Sequence, residues 1–142
     1  MVEEVRIDLP PDLTAPRAAR AEVRRTLARW HLLPLLDSVA LAVSELVGNA
    51  VVHGRPPVRL VLSRGRRHLR AGVHDLAPGS PAAGEASKDG ESGRGLAIIS
   101  VLADDSGVES LPDDSKIVYA TFSTPAPPAE DTAADPAAPP PA

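Results

Sequence analysis

Residues 37–54 read Asp37-Ser38-Val39-Ala40-Leu41-Ala42-Val43-Ser44-Glu45-Leu46-Val47-Gly48-Asn49-Ala50-Val51-Val52-His53-Gly54, and the reading of the whole chain turns on them. Val39, Leu41, Val43, Leu46, Val47, Ala50 and Val51 make residues 38–53 nearly continuously apolar. That pattern predicts a helix buried on most sides, with Asp37 as its N-cap and Gly54 as its stop. Within it, Glu45, Asn49 and His53 follow one another at intervals of four and share one face. Acidic side chains are almost never fully buried unless paired. A polar stripe of this kind faces either solvent, the commoner outcome, or a ligand. No two carboxylates and no two histidines share the stripe, which argues against zinc. A carboxylate and an amide oxygen are hard ligands that suit Mg²⁺.

Working outward, the pattern alternates helices with paired strands. Residues 3–9 alternate weakly and end at Pro10-Pro11, as an edge strand does. Residues 17–31 are expected as a helix, with Pro16 in its first turn and an apolar stripe of Ala21, Val23, Leu27 and Trp30. Arg17, Arg20, Arg24, Arg25 and Arg29 spread over its polar side, as a solvated face or a docking surface. Residues 58–62 and 69–74 read as a hairpin around a Gly-containing turn. Residues 76–93 form a long loop, 95–103 a short helix, and 105–111 and 116–123 a last strand pair around Pro112-Asp113-Asp114. Paired strands with helices grouped between them predict an α+β two-layer sandwich; the βαβ alternation of a doubly wound parallel sheet is missing. Residues 1–123 are expected to form one domain.

Residues 124–142 differ in kind. Seven of these nineteen residues are Pro and seven are Ala, so they lack the area to build a core and are expected to be a disordered tail.

Composition narrows the partners. The net charge is −4 and aromatics make up only 2% of the chain, which argues against a nucleic-acid partner and leaves almost nothing for stacking on bases. There is no cysteine, which excludes disulfides, thiolate catalysis and Cys-rich zinc sites. The acidic start, Met1-Val2-Glu3-Glu4, does not look like a signal peptide. No window is expected to reach the ~18 apolar residues of a membrane span. A soluble, cytoplasmic protein with no membrane partner is the expectation.

Two further features bear on chemistry. Asp75 closes a predicted strand and leads into Leu76-Ala77-Pro78-Gly79. A carboxylate there can accept hydrogen bonds from a ligand while small residues let the backbone approach, although Asp before Pro-Gly is also ordinary turn chemistry. Gly93-Arg94-Gly95-Leu96 opens the short helix, where backbone N–H groups and the helix start favour an anion. It is neither a Walker loop nor a dinucleotide fingerprint.

In this order and combination the segments resemble the GHKL ATPase superfamily, which includes gyrase, Hsp90, histidine kinases and MutL. Glu45-Leu46-Val47-Gly48-Asn49-Ala50-Val51-Val52-His53-Gly54 is similar to the N box of the small anti-sigma-factor serine/threonine kinases. Asp75-Leu76-Ala77-Pro78-Gly79 resembles their G1 box, and Gly93-Arg94-Gly95-Leu96 with Ile98 and Ile99 their G2 box. The helix of residues 16–30 is like their Arg-rich first helix. The likeness covers about residues 5–123. It departs at Ala77, where the G1 box usually has Gly, and at Ser106-Gly107, where relatives carry Trp-Gly.

The resemblance implies a Bergerat-type ATP-binding fold, with a mixed, mainly antiparallel sheet and helices on one face. It implies that Asn49 ligates Mg²⁺ on the ATP phosphates, that Glu45 is the catalytic residue, as general base or by polarising the attacking group, and that Asp75 accepts a hydrogen bond from the adenine amino group. Ala77, Gly79, Gly93, Gly95 and Leu96 would shape the pocket, and His53 would line it. Residues 80–93 would form a lid from which Lys88 and Arg94 meet phosphates. The function implied is transfer of the ATP γ-phosphate to a Ser or Thr of a protein partner, a sigma factor or an anti-sigma-factor antagonist. The alternative is a non-catalytic module that sequesters such a regulator in an ATP-dependent way. A homodimer is left open. No phosphoacceptor-histidine hairpin is visible, which argues against a histidine autokinase.

Overall fold

The computed structural model describes residues 3–77 and 91–125, with the side chains of residues 91–96 excepted. Gly79, Lys88, most of the long loop and the residues of the tail beyond Pro125 lie outside the described residues.

Five strands form one sheet: β1 (Glu3–Leu9), β2 (Val58–Arg64), β3 (His68–Asp75), β4 (Asp105–Ser110) and β5 (Lys116–Ser123). Their spatial order is β1-β2-β3-β5-β4. Every neighbouring pair is antiparallel, so the sheet is not mixed, contrary to expectation. Alternate residues of each central strand point to the core. The register lines up Ile7, Leu60, Val73 and Val118 in one row, and Val5, Leu62, Ala71 and Ala120 in the next. These rows lie under three helices, α1 (Ala15–Arg29), α2 (Leu36–His53) and α3 (Glu91–Leu102), which completes the expected α+β two-layer sandwich.

The opposite face of the sheet is polar. Arg59 pairs with Asp8 at 2.7 Å and Arg70 with Glu109 at 2.7 Å. The Arg70 guanidinium also lies 4.1 Å from the centroid of the Tyr119 ring, a cation–π contact. Two-layer packing leaves this face without a helical cover, and charge pairing keeps it compatible with water.

The helices differ from the sequence pattern in instructive ways. α1 buries Ala15, Ala19, Val23, Thr26 and Leu27 together with Glu22, while Ala21 is exposed. Glu22 is buried because it has partners: Arg25 donates to Oε1 through Nη2 at 2.7 Å, and the Thr26 hydroxyl donates to Oε2 at 3.1 Å. Arg20 donates to Ser44 Oγ on α2 at 3.1 Å, tying the two helices together. Arg25 and Arg20 therefore serve the fold as well as the polar face.

Asp37 does not cap α2. A 3₁₀ turn over Leu33–Leu35, which contains Pro34, runs directly into the helix at Leu36. The chain is already helical at Asp37, whose charge instead sits in the first turn, where the helix dipole favours it. Nor is α2 buried on most sides. Val39, Ala42, Val43, Leu46, Val47 and Ala50 form its buried face, while Leu41 is 45% and Val52 66% exposed. The stretch Leu33–His53 is long and apolar enough by composition to cross a membrane, which corrects the expectation that none is. Its buried face packs against α1, α3 and the sheet, as the central helix of this core.

α1 stops two residues short of the expected end. His31 takes φ 59°, in the left-handed region. The Leu32 N–H then donates to the Leu27 carbonyl at 2.8 Å and the His31 N–H to the Ala28 carbonyl at 3.2 Å. This is a Schellman arrangement, completed by burial of Leu32. Glycine is the usual residue at that position because a Cβ disfavours the left-handed region. The exposed His31 carries that cost. His31→Gly is expected to stabilise the protein by about 0.5–1 kcal/mol, read as a higher midpoint in urea unfolding. A lower midpoint would show that the imidazole contributes more than its backbone conformation costs.

Candidate functional site

The third core-facing row of the sheet does not continue the apolar pattern. It runs from Leu9 and Val58 to Asp75, at the end of β3, and Lys116, its partner at the start of β5. Asp75 is only 1% exposed. A carboxylate so placed needs donors, and they come from three directions. The Ala77 N–H donates to Oδ1 at 2.7 Å, the Arg55 N–H at 3.4 Å and Lys116 Nζ at 3.4 Å. The Leu76 N–H donates to the Arg55 carbonyl at 2.9 Å, which closes the end of β3 onto the segment after α2.

Asp75 Oδ2 is different. Among the described residues no donor bonds it. The Asp75 side chain is 1% exposed, so both oxygens are withdrawn from water, and the donors among the described residues all go to Oδ1. Gly54 lies directly beside Oδ2. A Cβ at position 54 would stand 2.7 Å from Oδ2 and 2.6 Å from the Ala50 carbonyl. Gly54 has φ −90° and ψ −163°, an extended conformation. It is needed for close approach of α2 to the carboxylate, not for a left-handed cap.

Glu45, Asn49 and His53 run back along α2 from this point. Glu45 and Asn49 are half-buried, and His53 is exposed. With a rise of ~1.5 Å per residue, Asn49 lies about 7 Å and Glu45 about 13 Å from Gly54 along the axis. The stripe is a ruler that starts at Asp75. Among the described residues no three His, Asp or Glu gather into a metal cage. Mg²⁺ carried by phosphates needs only one or two protein oxygens, and Asn49 and Glu45 can provide those.

Gly93, Arg94, Gly95 and Leu96 all fall inside α3. The helix starts earlier than the expected residue 95, so the Gly95 N–H belongs to the helix and is not a free anion donor. Gly93 remains nearer its N-terminal end. α3 packs beside α2. Ala77 contributes through its backbone, whose N–H holds Asp75. Sequence reasoning missed Lys116 and Arg55 altogether, and it took Gly54 only as a helix stop. The strand-pair reading around Pro112-Asp113-Asp114 was the one signal that could have led to Lys116, because it puts residue 116 at a strand start.

A separate groove of about 270 Å³ lies on the outer face of the sheet, lined by Arg6, Val61, Arg70, Gly72, His74 and Ile117 among others. None of the expected site residues lines it.

Comparison with known proteins fits this geometry. The histidine kinase-like ATPase domain family matches residues 9–122. The chain belongs to that family. Among solved structures, it is similar to a chain described as the RsbU and RsbW domains of Rv1364c from Mycobacterium tuberculosis, with a TM-score of 0.61 and 23% identity over 87% of this chain. The match covers 33% of that chain, so the likeness is to one part of a longer protein and shows the fold. No match was found among curated proteins.

Gly54→Ala is expected to destabilise the domain by about 1–3 kcal/mol, the usual cost of overpacking, measured by chemical denaturation. An unchanged midpoint would mean that α2 can withdraw from Asp75 at no cost.

Proposed function

We propose that this domain binds Mg-ATP between α2, α3 and the end of β3, and that it is a regulator of the anti-sigma-factor serine/threonine kinase type. The observation that carries the nucleotide reading is the buried carboxylate of Asp75, whose donors among the described residues all go to one oxygen. Its Oδ1 takes the donors that the described residues supply, and its Oδ2 lies beside a glycine where a Cβ would stand 2.7 Å away. A buried acceptor fixed in this way, with no donor from the described residues on its second oxygen, suits the exocyclic amino group of adenine. Asn49, one turn back along α2, would supply an amide oxygen to Mg²⁺ on the phosphates. Glu45 falls farther out, where it orients and accepts a proton from an attacking hydroxyl.

Phosphoryl transfer is chiefly positioning and charge stabilisation, so a metal, N–H donors and an oriented nucleophile suffice. The acceptor we propose is a Ser or Thr of a partner protein, whose binding to a further regulator the phosphate then controls. Membership of the histidine kinase-like ATPase domain family supports the nucleotide. The N-box, G1 and G2 segments in order, and the fold shared with a chain that contains an RsbW domain, support the regulatory type. We read residues 1–123 as the unit that does this, and Gly79, Lys88 and residues 80–93 as its lid.

Two substitutions separate the parts of the proposal. Asn49→Ala should lower Mg-ATP affinity by about tenfold or more, as loss of a metal-linked contact does, in isothermal titration. Glu45→Ala should retain ATP binding and lose at least about a hundredfold of phosphate transfer to a candidate antagonist protein, the scale of a general base. Absence of transfer by the wild-type protein, with ATP bound, would leave an ATP-dependent binding module in place of a kinase.

A further inference from the structure

Lys116 is placed with unusual care for a lysine. It is the first residue of β5, and its register partner is Asp75. Its side chain is 16% exposed, so the charge is largely withdrawn from water. Two contacts fix the strand start that carries it. The Asp113 carboxylate accepts from the Ser115 N–H at 3.0 Å and from the Ser115 hydroxyl, which holds the Asp113 carboxyl below the usual carboxylate range. Ser115 Oγ also lies 2.9 Å from His74 Nε2, pinning β5 to β3 one residue away from the Asp75–Lys116 pair, on the other face of the sheet. The ion pair itself is loose, at 3.4 Å. An ammonium has three N–H donors, and among the described residues Asp75 is the only partner of Nζ. A firmly placed lysine thus keeps donors to spare beside an aspartate whose second oxygen receives no donor from the described residues.

An acceptor next to a donor is the complement of one edge of a purine. Adenine presents an amino donor at position 6 and a ring-nitrogen acceptor at position 1, side by side. We propose that Lys116 is the second base-reading residue of the site, donating from Nζ to adenine N1 while Asp75 Oδ2 accepts from the 6-amino group. This rests on the nucleotide reading above and extends it. The ion pair has two roles in this arrangement. Without ligand, Lys116 compensates the buried carboxylate; with ligand, the pair presents a fixed acceptor–donor edge. A guanine in the same pose would put its carbonyl oxygen against the carboxylate and its N1–H against the ammonium, so the order of charges discriminates between purines.

The test compares ATP with 1-deaza-ATP, which has C–H in place of N1, in isothermal titration with Mg²⁺. Wild-type protein is expected to bind ATP about tenfold or more tightly than the analogue, the scale of a hydrogen bond from a charged donor. In K116M the two affinities should come within about twofold of each other, and K116R, which keeps a donor, should retain part of the preference. The ratio isolates the N1 contact from any general weakening caused by leaving Asp75 without its cation, since that would lower both affinities alike. A wild-type ratio near one, with ATP still bound, overturns the assignment and leaves the nucleotide site standing. A full preference kept by K116M also overturns it, since another donor then reads N1. Failure of the wild-type protein to bind ATP removes the nucleotide reading and this inference together. If circular dichroism shows K116M unfolded, the wild-type ratio and K116A decide by the same criteria.

Discussion

A carboxylate taken out of water must be met by donors within the fold, and this domain meets that demand at Asp75 with three segments at once. The end of α2 arrives through Gly54 and Arg55, the start of the long loop through Ala77, and the start of β5 through Lys116. Each contact fixes something beyond itself. Gly54 sets how close α2 lies to the sheet, the Ala77 N–H sets where the chain leaves β3, and Lys116 sets the end of the β3–β5 pairing. An uncompensated charge here would cost far more than any one of these hydrogen bonds returns. The local geometry is therefore determined jointly.

The sheet makes this possible by having two unlike faces. On the helix side the two inner rows are Val, Leu, Ile and Ala, and the row at one end of the strands turns to Asp75 and Lys116. Apolar burial supplies the stability and the polar row supplies the recognition, and the two are separated by position along the strands. On the outer side, ion pairs such as Arg59–Asp8 and Arg70–Glu109 occupy the surface. Surface pairs of this kind contribute little individually; they keep an uncovered sheet face polar. α2 links the regions, because its buried face belongs to the core while its Glu45-Asn49-His53 stripe leads away from the carboxylate at fixed intervals.

Much of this was legible in the residues. The period-two strands, the apolar helix of residues 38–53 and the polar stripe follow from side-chain spacing, which local geometry enforces before any tertiary contact exists. The errors also have local causes. Asp37 satisfies the residue preference for an N-cap, but the turn containing Pro34 had already started the helix. Ala21 fits an apolar stripe by type, yet a small side chain is indifferent to exposure, while Glu22 is drawn inward because Arg25 and Thr26 satisfy it. Leu41 and Val52 are apolar but open, since a helix on a two-layer sandwich has one face with nothing above it. The fully antiparallel pairing depends on β5 entering between β3 and β4, which strand patterns do not encode.

The sequence by itself determined the α+β class, the order of elements and the acid, amide and imidazole on one face of α2, because these depend on residue type and spacing along the chain. Only the tertiary structure decided that Gly54 is an approach point and that the donors to Asp75 from the described residues converge on one of its oxygens. It also decided that Lys116, forty-one positions later, stands beside that carboxylate. Those facts depend on which strands pair and in what register, and pairing is set by packing of the whole core.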